Sequence, residues 1–480
     1  MITLRKLPLN FWECLIYGLL SAVIVFLLTK GGVTVSPDSL YYLSIAEIIN
    51  TGKLTDSFIA TWPPFFPMLI ALINSFGFEA EESARIISVI LYPTLVMVMF
   101  LLARAMAGRL VAHLTSISML FFAPLLFVYS FCWSETVYIT LSAFSLLTLD
   151  KFYRSTDVTG KRYLVWGAIF VGLAFLTRYV GVALFLAGFL IILLKKEVKV
   201  PADKIKTLIL FSVIACTPLI LYLMGCLYFK GRLPGYGHHV MPSLWENAIS
   251  FFTTIYHDFL TFELHFASPH VIPYMVSWRP NISIHVLGNI AGIIFLILLM
   301  SYFVLKLFKG TIRNQIAPIA YVTCYSLFLI LITTTWVPIS MSTRFCSPIY
   351  PFVIVLCFSV VIGVCKSVAR TRTKLPFWGA SIFAVLFFWC IQVGSSVNVY
   401  MQMVPAETPM VEQGDITGDG IFDVSDLIYL SNYLYRGGPQ PRPLQNANVN
   451  CDETINIGDM LYLVNYLYKA GPAPCNLADR

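Results

Sequence analysis

The fold is organised around Ser36 to Pro67, which has the sequence SPDSLYYLSIAEIINTGKLTDSFIATWPPFFP and separates two apolar blocks of membrane length. Ser36 can cap a short helix that has Pro37 at its first position, and Asp38 then lies in the first turn. Four apolar residues of this helix fall along one stripe: Leu40, Tyr41, Ile45 and Ile48. The pattern predicts an amphipathic helix on a membrane surface.

The composition around this stretch is that of a membrane protein. Of 480 residues, 58% are hydrophobic and only 12% are charged, and the mean hydropathy is +0.78. A soluble domain does not tolerate so apolar a surface, so we expect a polytopic membrane protein. The net charge of +7 is explained by basic loops between apolar blocks, and no nucleic-acid partner is predicted.

Apolar segments predict eleven spans. They lie at about 11–29, 84–106, 110–129, 136–150, 163–177, 180–194, 207–228, 284–308, 315–335, 347–365 and 376–395. If the N-terminus is cytoplasmic, most lysines and arginines fall in cytoplasmic loops, as the positive-inside rule requires. The odd number of spans then places the C-terminus outside, on the same side as the Asp38 loop and a long loop at about 229–283.

An aspartate, an interfacial helix and a W-P-P-x-x-P run together resemble the first external loop of GT-C glycosyltransferases, of the protein O-mannosyltransferase and aminoarabinose transferase type. The resemblance implies an all-α membrane enzyme of a bacterial or archaeal cytoplasmic membrane. Such an enzyme moves a sugar, with inversion, from a polyprenyl-phosphate donor to an acceptor hydroxyl or amine. Asp38 matches the catalytic base. The alternative is that a first-turn carboxylate is favoured by the helix dipole alone.

Further charged residues predict a site on the same face. Glu135 follows Ser134 at the outer start of the fourth span, where the resemblance implies a second acidic residue that faces Asp38; an ordinary helix start is the alternative. The two carboxylates can hold a divalent metal or divide base and positioning roles. Arginines at membrane depth are predicted to bind the donor phosphate, or else to pair with an acid such as Glu135. They are Arg178 and Arg344, with Arg85 and Arg279 as weaker candidates.

Beyond a linker at 396–413, the composition changes and a repeat with a 33-residue offset begins. Oxygen ligands recur at loop positions 1, 3, 5, 9 and 12, with a backbone carbonyl at position 7, which is the spacing of a Ca²⁺ loop. The first set is Asp415, Thr417, Asp419, Ile421, Asp423 and Asp426; the second is Asn448, Asn450, Asp452, Thr454, Asn456 and Asp459. A degenerate acidic tail, the alternative, does not explain the repeated apolar helix.

The repeat pair at 414–476 resembles a type I dockerin, which implies two Ca²⁺ sites and a cohesin domain as partner. Val424 and Ser425 lie where the family makes that contact. The second loop departs from the pattern with Asn448 at position 1 and Glu453 in place of glycine, so it should bind Ca²⁺ more weakly. Cys451 and Cys475 can close a disulfide in this module, which would be worth about 3 kcal/mol in the chain-entropy model.

Two other functions compete with a transferase domain at 1–395. A transporter or flippase for a lipid-linked sugar also needs intramembrane arginines, but it more often has internal hydropathy repeats and broken helices, which this sequence does not display. A membrane anchor that only displays the dockerin needs one span, so the eleven predicted spans argue against this function.

Overall fold

The structure is a computed structural model. It describes residues 9–52, 63–156, 159–195, 201–230, 244–260, 315–335, 342–368, 385–386, 388–397, 399, 414–417, 424–436, 438–441, 444–452, 454–469, 472 and 474–475. Arg279, Asp419, Ile421, Asp423 and Glu453 lie outside the described residues. So do the predicted span at 284–308 and most of the 229–283 loop and the linker.

Residues up to Val404 form one compact unit, and the rest of the chain forms another. The described part of the first unit is helical, and its only described β-type pairing is an isolated bridge between Thr34 and Phe131. The helices are α1 (Leu9–Leu28), α2 (Pro37–Asn50), α3 (Phe65–Asn74), α4 (Ala80–Ala107), α5 (Arg109–Leu120), α6 (Ala123–Ser130), α7 (Glu135–Arg154), α8 (Thr159–Thr177), α9 (Gly181–Leu194), α10 (Pro201–Lys230), α11 (Leu244–Leu260), α12 (Ile316–Thr335), α13 (Thr343–Cys346) and α14 (Tyr350–Val368).

Several of these helices are suited to crossing a membrane. Within the described ranges, four segments are long and apolar enough: Phe11–Leu28, Ala80–Ala107, Ala202–Phe229 and Thr343–Gly363. A fifth is counted if α5 and α6, which are bent by 53°, form one span. The chain is therefore a multi-pass membrane protein. Helices lie at most of the eleven predicted segments, but the count of eleven stays a prediction.

Helices α7 and α8 form an antiparallel hairpin that positions the site. A Cβ at Gly167 would lie 2.8 Å from Leu149 Cδ2, so glycine permits close packing of the two helices. Ser145 Oγ also donates to the Gly167 carbonyl, at 3.2 Å. As a result, the start of α7 and the end of α8 lie at the same end of the hairpin.

Helix α2 is present, but its buried face matches the predicted stripe only in part. Ile45 of that stripe is buried and Tyr41 is 53% exposed, whereas Tyr42 and Ala46, outside the stripe, are buried. The reason is α3, a ten-residue apolar helix that the sequence analysis did not predict. Tyr42 packs edge to face against Phe66 of α3, with ring centroids 5.2 Å apart. Helix α2 therefore packs on protein, and its position on a membrane surface stays a prediction.

The described residues of the second unit include two α-helices, α15 (Val424–Arg436) and α16 (Ile457–Lys469). A short 3₁₀ helix, Leu444–Ala447, precedes the second calcium-loop sequence. The buried core of this unit combines residues from both repeats: Ile416, Leu430, Ala447, Val449 and Leu463. The boundary between Val404 and Pro405 falls inside the predicted linker at 396–413.

Candidate functional site

Glu135 and Arg178 meet where the α7–α8 hairpin ends. Glu135 is the first residue of α7, and Arg178 directly follows α8. Arg178 Nη1 forms an ion pair with Glu135 Oε1 and donates to Ser134 Oγ at 3.2 Å. The Ser134 hydroxyl also lies 3.0 Å from the Tyr42 hydroxyl of α2. The hairpin thus places one arginine and one carboxylate beside the interfacial helix.

The segment before α7 holds the start of α2 in place. Cys132 N–H donates to the Thr34 carbonyl at 3.0 Å, and Ser39 Oγ donates to the Cys132 carbonyl at 2.9 Å. Trp133 Nε1 donates to Ser36 Oγ at 2.8 Å. These bonds fix the first turn of α2, which contains Asp38, against the residues that precede Glu135.

Arg344 joins the two carboxylates that the sequence analysis had paired. Its Nη1 contacts Asp38 Oδ2 at 2.6 Å, its Nε contacts Glu135 Oε1, and its Nη2 contacts Glu135 Oε2 at 3.4 Å. The guanidinium carbon also lies 4.5 Å from the centre of the Trp133 ring. A planar guanidinium has donors in fixed directions and can satisfy two acids at once, which an ammonium cannot do with the same geometry.

The four charged residues, Asp38, Glu135, Arg178 and Arg344, are called the charged cluster below. Their side chains differ in exposure: Glu135 is 0% exposed, Arg344 13%, Arg178 17% and Asp38 28%. Glu135 is therefore a buried anchor held by two arginines. Asp38 is the more exposed of the two carboxylates.

The remaining candidates of the first unit are placed elsewhere or not described. Arg85 Nη1 contacts Glu82 at 3.0 Å, and its guanidinium lies over the Phe26 ring. Its described contacts are thus outside the charged cluster. Arg279 lies outside the described residues. In the described part of the chain, no group of three or more His, Cys, Asp or Glu side chains could hold a metal.

One buried acid near the cluster was missed by the sequence analysis. Asp258 of α11 is 2% exposed and accepts a hydrogen bond from Thr343, the residue before Arg344. It lies in the segment that was interpreted as an external loop. The signal was the helical spacing of Asn247, Phe251, Thr254 and Asp258, all of which are buried.

The first calcium-loop sequence is closed by its last acid. Asp426 Oδ1 accepts from Ile416 N–H at 2.7 Å and Thr417 N–H at 2.9 Å. Asp415 is also buried, and Asn446 Nδ2 donates to its carbonyl oxygen at 2.9 Å. Asp415, Thr417 and Asp426 thus lie together as oxygen donors, a chemistry that suits Ca²⁺.

The second loop has the same organisation. Asp459 Oδ1 accepts from Val449 N–H at 2.9 Å, and Asp459 Oδ2 accepts from Asn456 N–H at 2.9 Å. Thr454 N–H donates to Asp452 at 2.9 Å, which lowers the pKa of that carboxyl and favours its ionised form. The side-chain oxygen of Asn450 accepts from Asp452 N–H at 3.1 Å. The side chains of the second loop thus also offer oxygen atoms, which are the ligands that Ca²⁺ prefers.

The C-terminal tail is attached to this second loop. Cys451 and Cys475 form a disulfide, with Cα atoms 6.1 Å apart. The Cys475 N–H also donates to the Val449 carbonyl at 3.1 Å. The tail is therefore held against the loop by a covalent bond and by a backbone hydrogen bond.

Two sequence families match parts of the chain. Residues 61–222 match the dolichyl-phosphate-mannose-protein mannosyltransferase family, a range that includes Glu135 and Arg178 but not Asp38 or Arg344. Residues 413–468 match the dockerin type I domain. A search of curated proteins gave no match.

Two solved structures of ArnT are similar to this chain in fold. ArnT from Cupriavidus metallidurans, bound to undecaprenyl phosphate, has 13% identity and a TM-score of 0.50 over 82% of this chain and 76% of that one. Its apo form has 14% identity over the same coverage, with the same TM-score. AglB from Archaeoglobus fulgidus, in complex with an inhibitory peptide and a dolichol-phosphate, has 14% identity and a TM-score of 0.47 over 89% and 58%. The chain thus resembles the GT-C glycosyltransferases in fold and over residues 61–222, and its C-terminal residues 413–468 match the type I dockerin family.

Proposed function

We propose that the first unit transfers a sugar from a polyprenyl-phosphate donor to a hydroxyl or amine acceptor at the outer face of the membrane. The observation that carries this proposal is the charged cluster, in which Arg344 contacts both Asp38 and Glu135. The mannosyltransferase family match supports the reaction class. The likeness to ArnT, which was crystallised with undecaprenyl phosphate, supports the donor class.

Asp38 is the proposed base, because it is the more exposed carboxylate of the pair. It takes the proton of the acceptor O–H or N–H while the acceptor atom attacks the anomeric carbon. The bond from that carbon to the phosphate oxygen breaks, and the polyprenyl phosphate leaves with the electron pair. A single displacement of this kind inverts the anomeric centre. Glu135 is a positioning group, since it is buried and paired with two arginines.

Arg344 and Arg178 are the proposed phosphate-binding residues. The leaving group gains negative charge as the bond breaks, and a fixed guanidinium stabilises such charge without reorganisation. Guanidinium groups also suit the bidentate recognition of phosphate. In this arrangement Glu135 holds both arginines toward the outer loop, and binding of a phosphate shifts the contact that Arg344 makes with Asp38.

The second unit is proposed to bind two Ca²⁺ ions and a cohesin domain, as dockerins do. The described loop donors fit this ion, since they are carboxylate, amide and hydroxyl oxygens. Bound Ca²⁺ would neutralise the clustered acids and order both loops. The dockerin then tethers the enzyme or its acceptor. We place the protein in a prokaryotic cytoplasmic membrane with eleven spans, a cytoplasmic N-terminus and an outer dockerin, on the charge distribution of its loops.

The transfer reaction can be tested with purified protein, undecaprenyl-phosphate [³H]mannose and further labelled lipid-phosphate sugars, with cell-envelope fractions as acceptor. We expect label to move to the acceptor, and Asp38→Asn to abolish the transfer. Glu47→Gln is the matched control, because it neutralises another, exposed acid of α2 and should retain transfer. Unchanged turnover in Asp38→Asn would exclude Asp38 as the base.

A further inference from the structure

Asp258 is placed where neither helix propensity nor the helix dipole favours it. It lies in the last turn of α11, where a negative charge opposes the dipole, and it is 2% exposed. A buried carboxylate is costly unless hydrogen-bond donors satisfy it. The neighbouring segment supplies those donors.

Both oxygens of this carboxylate bind the chain segment that contains Arg344. Thr343 Oγ1 donates to Asp258 Oδ1 at 2.8 Å, and the Tyr350 hydroxyl donates to Asp258 Oδ2. Thr343 begins α13 and Tyr350 begins α14, with Arg344 in the turn between the two contacts. One side chain thus fixes both ends of the turn that presents Arg344.

The end of α11 is itself held from a third direction. Gln392 Nε2 donates to the backbone carbonyls of Asp258 and Phe259, at 3.2 and 3.1 Å. The Phe259 ring packs edge to face on Tyr350, with centroids 5.2 Å apart. The aromatic contact brings α11 against the turn, and the carboxylate sets the orientation of the turn.

From these contacts we infer that Asp258 is a positioning residue, which holds Arg344 in the orientation needed to bind a lipid phosphate next to Asp38. The inference rests on the proposed function, because it assigns the phosphate contact to Arg344. Asp258 does not touch the reacting atoms. It acts through the Thr343 and Tyr350 hydroxyls on the backbone that carries the guanidinium.

The experiment measures the Kd for undecaprenyl phosphate in detergent micelles, with the full-length protein. Asp258→Asn should raise Kd about tenfold to a hundredfold, because the amide nitrogen cannot accept and one hydroxyl loses its acceptor. In the Arg344→Ala background the same substitution should add nothing, since the residue through which Asp258 acts is absent. An unchanged Kd, or an equal rise in both backgrounds, would overturn the inference.

Matched variants separate positioning from general damage. Thr343→Val should raise Kd as Asp258→Asn does, whereas Thr343→Ser keeps the hydroxyl and should keep the affinity. Thr254→Val changes the same buried face of α11, but among the described residues the Thr254 hydroxyl donates to the Ser250 carbonyl within the helix. The Kd of this variant should therefore not change. If Asp258→Asn is not recovered folded, Thr343→Val and Tyr350→Phe decide the question; normal affinity in both would overturn the inference.

Transfer of [³H]mannose, assayed in the same preparations, distinguishes this inference from the proposed function. Wild-type protein that binds undecaprenyl phosphate, with the expected coupling between Asp258 and Arg344 but without transfer from any donor, would contradict the transferase function and leave the positioning role standing. Transfer that is normal in Asp258→Asn would contradict the positioning role alone. Wild-type protein that does not bind undecaprenyl phosphate would overturn the inference.

Discussion

Asp38 and Glu135 carry the same charge, but they differ in what surrounds them. Glu135 is fully buried and contacts both arginines, whereas Asp38 is 28% exposed and contacts Arg344. Removal of one partner from a buried ion pair leaves an uncompensated charge, which costs about 3 to 5 kcal/mol. A partly exposed acid in a first helical turn contributes about 1 kcal/mol or less through the dipole.

This difference predicts that substitution of Glu135 lowers stability much more than substitution of Asp38. Glu135→Gln should lower the melting temperature of the purified protein markedly, because Arg178 and Arg344 lose their shared counterion. Asp38→Asn should leave the melting temperature almost unchanged while transfer is lost. A scanning-fluorimetry experiment on both variants tests the pair, and equal melting temperatures would contradict the assignment of Glu135 as the anchor.

The roles of Arg344 and Arg85 can be distinguished by their effects on phosphate binding. Arg344→Ala should weaken binding of undecaprenyl phosphate about tenfold or more, because a hydrogen bond to a charged group is worth about 1.5 to 3 kcal/mol. Arg85→Ala is the comparison, since Arg85 contacts Glu82 rather than the charged cluster. Its affinity should stay close to that of the wild type; an equal loss in the two variants would place Arg85 in the phosphate site.

At this scale the sequence analysis named all four residues of the charged cluster. It named Asp38 and Glu135 from the resemblance of their segments to the GT-C family, and Arg178 and Arg344 because charge at membrane depth is rare and therefore informative. It left open whether the arginines bind phosphate or pair with Glu135. In the structure both Arg178 and Arg344 form ion pairs with Glu135. It also missed Asp258, because the acid lies in an amphipathic segment between spans. Nothing in that segment indicates that Thr343 and Tyr350, more than eighty residues later, are its donors.

At the scale of helices, the sequence does not determine whether a proline interrupts a helix. The segment at 110–129 was predicted as one span, but it is divided into α5 and α6 with a 53° bend. Pro124, at the second position of α6, has no N–H to donate to the Leu120 carbonyl. Pro93 and Pro218 lie inside the long helices α4 and α10 without ending them. Neighbouring helices decide between these outcomes, and the sequence does not specify the neighbours.

The two calcium-loop repeats predict different contributions to stability. The first loop has four acidic ligands, and the second has two. Ca²⁺ affinity rises with ligand charge, so Asp415→Ala should raise the calcium concentration that protects the unit from protease more than Asn448→Ala does. A calcium titration of limited proteolysis, read from the amount of intact fragment, measures both. Equal shifts would contradict the weaker affinity expected of the second loop.

At the scale of the whole molecule, the division into two units was predicted at the linker. The change from apolar spans to a polar repeat is abrupt, and the compact units divide between Val404 and Pro405. Composition predicts a boundary in this region, because an apolar segment and a polar repeat are each expected to bury their own apolar residues. The number of spans depends on segments that are shorter than a straight crossing needs, and composition does not decide that number.

The charge of the loops and the predicted calcium chemistry of the second unit independently predict the same side of the membrane for the C-terminus. The positive-inside rule places the C-terminus outside when the number of spans is odd. Ca²⁺ sites of extracellular modules work at the high calcium levels found outside cells, and the Cys451–Cys475 disulfide persists only in an oxidising compartment.

Protease added to intact spheroplasts should therefore cut the chain after Val404. In inside-out vesicles the same segment should not be cut. With calcium, the segment from Asp415 to Pro472 should remain as a compact fragment, since an ion that binds only the folded form stabilises it by mass action. With chelator the fragment should be degraded. Protection in spheroplasts would contradict the eleven-span topology. A digestion pattern that is indifferent to calcium would contradict calcium binding by the loops. The comparison of spheroplasts with vesicles tests the topology, and the comparison of calcium with chelator tests ion binding, so each prediction can fail without the other.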